Sequence, residues 1–343
     1  MDNLEFLRVN AFLNTEMDAR AIKSAIDLGG VDALRDDGAI SLTTLSKQRR
    51  VNPTGLRLLV DMLEANGVVA RTGDLIDLTA EFRAILPFRD LLESRIEFAY
   101  VVWPDIHHLF TCLLTDGPQF MARSKAFDLF RYDRCLDITA ESLEAASAWT
   151  KFTTCLTKYE AGPALDAIDL RSVASFIDLG GNTGEFALQA CKRSPSLTAT
   201  VVDLPVVCEL GRRHIAAVAS ADEARRISFF PTDMRSGPLP IAADLVSFKS
   251  VLHDWPDHDA LRLLERARAL VRPGGRLVIF EREPIDARGR RIPYAMAPDL
   301  VFLHFLRPAE IYLSALEELG FAAIERRRVA LEVGFHLIVA RRP

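Results

Sequence analysis

Over the first hundred positions apolar residues recur at helical spacing, broken by short turns such as Leu28-Gly29-Gly30 and Arg71-Thr72-Gly73-Asp74, with few continuous β-branched runs. That pattern predicts a mainly helical region over 1–100. Between Ser41 and Thr79 it reads helix, turn, helix, then two short strands at Val68–Ala70 and Leu75–Leu78, the order of a winged helix-turn-helix. Residues 101–170 carry further helical patterns that bridge to the rest. From Ser175 the texture changes: short apolar runs in SFIDLGG, ATVVDLP, RISFFPTD, ADLVSFKSVL and RLVIFE alternate with longer helical stretches. Repeated βαβ units follow, hence an α/β fold with a parallel sheet covered by helices on both faces. The expected organisation is a helical winged-helix domain over 1–100, a helical linker and pocket segment over 101–170, and a Rossmann-like domain over 171–343.

Composition narrows the possibilities. With 343 residues, 49% hydrophobic and 26% charged, the chain excludes disorder and disulfide-stapled miniature folds, and it is long enough for two domains. A net charge of -5 argues against a protein that coats nucleic acid, although residues 40–71 hold a local surplus of Lys47, Arg49, Arg50, Arg57 and Arg71 over Asp61 and Glu64. A winged helix there serves either DNA or dimerisation, and fold does not choose between them. The five cysteines are odd in number and never spaced as CxxC, which fits thiols in a reducing, cytoplasmic compartment. No run reaches 18 apolar residues, and MDNLEFLRVN lacks a basic start followed by an apolar stretch, so neither membrane spanning nor export is expected.

The candidate chemistry begins at Phe176-Ile177-Asp178-Leu179-Gly180-Gly181-Asn182-Thr183-Gly184-Glu185, a glycine-rich turn between an apolar strand and a helix. Glycine permits the sharp turn and close ligand approach at the carboxyl edge of a parallel sheet. Val201-Val202-Asp203 ends the next apolar run with an acid twenty-three positions after Gly180, placed to accept both hydroxyls of a ribose. The acids flanking the turn, Asp178 and Glu185, would repel a pyrophosphate but suit a cationic sulfonium with its amino-acid tail. S-adenosylmethionine is therefore favoured over NAD, with Asp233 of FFPTDM at the end of a third strand reaching the adenine.

At these residues the chain resembles the class I methyltransferases, and more narrowly the small-molecule O-methyltransferases with a helical, winged-helix-like dimerisation domain. The matching segments are DLGGNTG (178–184), Asp203-Leu204-Pro205, Thr232-Asp233-Met234, FKSVLHDWPD (248–257) and LVRPGGRLVIFE (270–281). The resemblance implies that Asp178, Gly180, Gly181, Asp203, Leu204, Asp233, Met234 and Lys249 form the cofactor site. It also implies that the N-terminal domain builds a homodimer, and that His253 sits beside the methyl acceptor. His253 follows a strand end, and an imidazole with a pKa near 6.5 can take a proton from a hydroxyl at neutral pH.

One stretch departs from that family. Glu281 matches the first of two glutamates that hold the histidine, but after Asp299-Leu300 the chain reads VFLHFLRPAEIY, without the glycines and glutamate of the usual second loop, and offers His304 and Arg307 instead. This resembles the subgroup that methylates α-keto acids at C3, in which two equivalent histidines hold a metal ion. The principal expectation is thus a C-methyltransferase of an α-keto acid, with Fe, Zn, Ni or Co between His253 and His304, Lewis-acid enolisation, and Arg307 holding the carboxylate. Asp254 and Glu281 are left as proton acceptor, third ligand or orienting group; Trp103 and Phe152 are candidate pocket walls. The alternative is an O-methyltransferase of a phenolic or other small secondary metabolite with His253 as general base. A third possibility, a regulator using the winged helix on DNA, fits poorly with an intact cofactor constellation.

Overall fold

The computed structural model describes residues 4–289 and 292–343. It divides into two compact units. One comprises the chain to Trp103 with Ala287–Pro298, the other Pro104–Asp286 with Asp299–Pro343.

In the first unit, helices Leu42–Arg49 and Pro53–Ala65 are followed by a hairpin of β2 (Val69–Thr72) and β3 (Leu75–Leu78), and β3 also pairs with β1 (Ile40–Ser41). Both helix starts are chemically marked: Ser41 caps the first through its hydroxyl, and Asn52 caps the second, which has Pro53 in its first turn. Thr72 pairs with Leu75, leaving Gly73-Asp74 as a two-residue turn with Gly73 at φ 59°. The winged-helix pattern is therefore present.

The second unit is built on a seven-stranded sheet in the order β6-β5-β4-β7-β8-β10-β9. Its strands are β4 (Ser175–Leu179), β5 (Thr198–Asp203), β6 (Ile227–Pro231), β7 (Ala243–Lys249), β8 (Val271–Arg282), β9 (Ala322–Ala330) and β10 (Gly334–Arg341). The first five are parallel, while β10 runs antiparallel to both β8 and β9. The sheet is thus mixed rather than wholly parallel, a correction confined to one edge. The outer strand β9 carries Glu325-Arg326-Arg327-Arg328, so no apolar run announces it.

Two buried clusters, one on Val246, Phe248, Leu264 and Ile279, the other on Phe176, Leu188, Val201 and Phe280, fasten helices to the sheet. The turns at the carboxyl ends of β4, β5 and β7 follow from the switch in strand order between β4 and β7, the crevice where ligands of open α/β sheets bind.

Candidate active site

The turn after β4 is tight enough to exclude a side chain. Gly180 has φ 68°, and a Cβ there would stand 2.7 Å from a Val251 methyl; a Cβ on Gly181 would stand 2.6 Å from Asp178 Oδ2. Asp178 is only 1% exposed. Its Oδ1 accepts from the Ser247 hydroxyl at 2.6 Å, while Oδ2 is buried without a partner, and burial pushes the carboxyl up to about 7. Asp203 ends β5; its two oxygens accept from the Asn182 and Leu204 backbone N–H groups at 2.8 and 2.7 Å, and burial raises it to about 6. Asp178 and Asp203 are poorly solvated carboxyls beside a turn that only glycine fits, which suits a cationic ligand with a ribose, whereas Glu185, the second acid expected to face the sulfonium, is engaged by His214 Nε2 at 2.7 Å and by Gln189 at 2.9 Å. The residues fit S-adenosylmethionine.

The other expected cofactor residues have different neighbours. Asp233 is gripped by Arg235 through two guanidinium bonds, at 3.0 and 2.8 Å, and a third from its backbone at 2.9 Å; the Arg235 hydrogen bonds hold it below the usual carboxylate range. Met234 packs on the sheet core. Lys249 is buried, donating to Thr157 Oγ1 at 3.0 Å and pairing with Glu160, which also accepts from Arg282. Burial drives Lys249 below the ordinary lysine value.

His253 lies in a one-turn 3₁₀ segment, Leu252–Asp254, after β7. Ser250 at φ 54° turns the chain out of the strand, so the Val251 and Leu252 N–H groups both point at Glu281 Oε1, 2.7 Å from each. Glu281 is wholly buried in β8, and its Oε2 meets His253 Nδ1 at 2.6 Å. Burial opposes ionisation of Glu281, but His253 and the two backbone donors outweigh it and hold the carboxyl below its ordinary value. An ionised carboxylate only accepts, so Nδ1 carries the proton and Nε2 holds the lone pair. Burial likewise disfavours imidazolium, yet Glu281 and Asp254 lift His253 above 6.5. Asp254 Oδ1 stands 3.5 Å from Nε2, and its Oδ2 accepts from Tyr132 Oη at 3.0 Å. Burial raises Asp254.

The metal expectation is corrected here. His304 does not pair with His253; its Nε2 donates to the Leu113 carbonyl, and its ring lies against Gly117. The ring facing His253 is Phe302, at 5.5 Å between centroids. Among the described residues no group of three His, Cys, Asp or Glu side chains is placed to hold an ion. These donors do not fit a bound metal. Arg307 is corrected too: it is buried, and its donors go to Leu252 O at 2.8 Å, Trp255 O and Asp257 Oδ1 at 2.6 Å, which removes them from any substrate carboxylate.

Phe152 is buried on helix Ala140–Asp166. Trp103 belongs to the first unit, where it stacks on Tyr294 at 5.5 Å. An aromatic wall does adjoin His253; of its members only Trp149 was a wall candidate from the sequence, beside Trp103, Phe152 and Tyr159. From Phe302 it continues through Phe130 (5.9 Å), Trp149 (6.1 Å) and Tyr132 (5.6 Å) to Trp255 (5.6 Å). Also passed over were Thr153 and Thr154, which reach Asn182 and Thr183 of the glycine turn. The signal was a stripe of hydroxyls at 150, 153, 154 and 157, one face of a helix.

Comparisons with known proteins converge with this geometry. Residues 130–311 match the family model of the O-methyltransferase domain. The mitomycin biosynthesis 6-O-methyltransferase of Streptomyces lavendulae is 27% identical over 283 residues, 80% of this chain and 76% of that protein. Aclacinomycin 10-hydroxylase RdmB of Streptomyces purpurascens is 35% identical over 148 residues, 43% of this chain and 38% of that protein. Among solved structures, human N-acetylserotonin methyltransferase in complex with S-adenosylmethionine superposes with a TM-score of 0.74 at 22% identity, covering 95% of this chain and 94% of that one, a likeness of fold.

Proposed function

We propose a function from one premise: the chain belongs to the O-methyltransferase domain family and is an S-adenosylmethionine-dependent methyltransferase. Our reading is that it methylates a hydroxyl of a small aromatic secondary metabolite, with His253 as general base, in place of the metal-assisted alkylation of an α-keto acid at carbon. The observation that carries it is the His253–Glu281 pair, in which Glu281 is fully engaged and His253 presents Nε2 beside an aromatic wall.

When bound, the cofactor would supply an electrophilic methyl on a cationic sulfur, which leaves as a neutral thioether when its bond to the methyl breaks. The turn at Gly180 and Gly181, with Asp178 and Asp203, binds it; Ser247 orients Asp178. His253 Nε2 takes the proton of the acceptor hydroxyl, so that the oxygen is a nucleophile as its bond to the methyl forms. Glu281 and Asp254 stabilise the imidazolium that results, and Glu281 fixes the tautomer that makes Nε2 the base. Phe302, Trp149 and Tyr132 favour a planar acceptor through offset or edge contacts, about 0.5–1.5 kcal/mol per pair beyond burial. Arg307, turned toward backbone, is not available to an α-keto acid's carboxylate, and His304, held by Leu113, is not available to share a metal with His253.

The test is incubation with S-adenosylmethionine and two panels, phenols and α-keto acids, with products read by NMR. A methoxy carbon on a phenol is expected. A new carbon–methyl bond on a keto acid, or hydroxylated product without methyl transfer, would overturn the proposal. As for location and assembly, no helix among the described residues is long and apolar enough to cross a membrane. A reducing cytoplasmic setting and a homodimer through the helical domain belong to this proposal, checked by fractionation and by light scattering.

A further inference from the structure

We infer that Arg307 is a positioning residue for the reaction: its guanidinium clamps the loop Leu252–Asp257 and so fixes where His253 presents its base nitrogen. The inference rests on the reading of His253 as base. Arg307 lies on the stretch before helix Ala309–Glu318, fifty-four residues from His253 in sequence, and is 4% exposed. Its three donor nitrogens converge on one short segment. Nη1 donates to the carbonyl of Leu252, the residue immediately before His253; Nη2 donates to the carbonyl of Trp255, two residues after it; Nε donates to Asp257, at the start of helix Asp257–Leu270. The fork thus spans His253 from both sides.

The loop needs such a clamp. Its entry is turned by Ser250 in the left-handed region, a conformation that persists only where surroundings impose it. Glu281 holds the loop from the β8 side through the Val251 and Leu252 N–H groups, and Arg307 holds the opposite side through carbonyls. Leu252 is gripped through both of its backbone polar groups, N–H by Glu281 and C=O by Arg307. A lysine at 307 keeps the charge but presents a point donor rather than a planar fork, so it cannot span the carbonyls of Leu252 and Trp255 in the same way. A buried guanidinium would itself be costly without these acceptors, and the partial charges of two carbonyls plus Asp257 supply its compensation.

The groups that face His253 are Glu281, Asp254 and Phe302, with Tyr132 behind Asp254 and Arg282 acting at longer range. The hydrogen bonds of the Arg307 guanidinium go instead to Leu252, Trp255 and Asp257. Removing its positive charge alone would raise the histidine's pKa. Loosening the loop would instead weaken the contact with Glu281 and lower it. The two effects have opposite signs.

The experiment compares wild type, Arg307→Lys and Arg307→Gln, with His253→Gln to assign the resonance. Side-chain NMR of carbon-labelled histidine gives the His253 titration without any acceptor, calorimetry gives S-adenosylmethionine binding, and turnover uses the phenol chosen from the panel above. A clamp predicts that both variants shift the titration downward, keep cofactor affinity within about threefold, and lose kcat on the order of 10²-fold, the scale of an ångström's misplacement. Added guanidinium should restore part of the loss in an Arg307→Ala variant. Unchanged titration and turnover in Arg307→Lys would overturn the inference, as would an upward shift in Arg307→Gln. Should no phenol be methylated, the titration still decides the matter, so failure of the proposed function remains distinguishable.

Discussion

Replacing Glu281 by Gln tests the centre of the site. The side chain is isosteric and wholly buried, and it makes three hydrogen bonds: His253 Nδ1 at 2.6 Å and the Val251 and Leu252 N–H groups at 2.7 Å. A Gln oxygen can still accept from the backbone, which keeps the loop in place, but its amide then turns N–H toward Nδ1. The ring must answer with its lone pair on Nδ1 and its proton on Nε2, the tautomer that cannot act as base. Two losses follow. A hydrogen bond to a charged group contributes about 1.5–3 kcal/mol, roughly one to two powers of ten in rate. The inverted tautomer adds a comparable penalty, so kcat should fall on the order of 10³-fold, within the range general-base groups command and below the effect known for a wrong-tautomer triad.

Single-turnover methyl transfer with labelled S-adenosylmethionine isolates the step, and cofactor affinity should stay near wild type. The pH profile gives a second check. Because Glu281 and Asp254 lift His253 above 6.5 despite burial, wild-type activity should rise with pH through a value above 6.5, as the imidazole loses its proton. In the variant that rise should move to lower pH. Activity within about threefold of wild type would refute the tautomer argument.

Three further outcomes are expected. Asp178→Asn should stabilise the ligand-free protein at pH 8 in thermal melts while weakening S-adenosylmethionine binding by about tenfold or more. The sign follows from a carboxyl raised to about 7 from 3.8, whose folded form holds its proton more tightly, so that stability is lost as pH climbs from about 4 toward 7. His304→Gln should leave phenol methylation within about threefold and chelator should not change it, since the ring serves the Leu113 carbonyl; the observed cost should be a melting point lower by a few degrees. Phe302→Ala should raise KM for a planar phenol more than it lowers kcat, measured by steady-state kinetics, because the ring flanks His253 without bonding to it.

Legibility differed by element. The central strands β4 and β7 were readable because they are buried on both faces and therefore appear as continuous apolar runs, β5, β6 and β8 were readable from shorter apolar runs at the expected spacing, and Asp178 and Asp203 were readable from their places near strand ends. Strand β9 was not, since an exposed outer strand rich in Glu and Arg obeys no burial period. His253 and Glu281 were identified from motif spacing, but their relationship was left open because pairing across β7 and β8 is a matter of register. The failure at His304 has a simple cause. Residues Val301–Phe305 form tight turns, where neighbours two apart point in different directions, so Phe302 met the histidine and His304 met Leu113. Arg307 was misread because a guanidinium in an acceptor-site segment suggests an anion, whereas backbone carbonyls satisfied it. The aromatic wall draws on positions from 130 to 302, a grouping created only by folding.

The Glu-Arg-Arg-Arg face of β9 bears on how copies of the protein meet. An outer strand exposes a row of unpaired peptide groups, an invitation for another chain to extend the sheet. Antiparallel pairing of two such strands centred on Arg327 would bring guanidinium groups opposite one another in a row, and like charges directly across a ladder are destabilising. Arg326 and Arg328 are tied back to Glu310 and Glu283, which keeps the charges standing along that border. The fold thus guards this border against ribbon-like self-association, a protection written in the exposed side chains of its outermost strand.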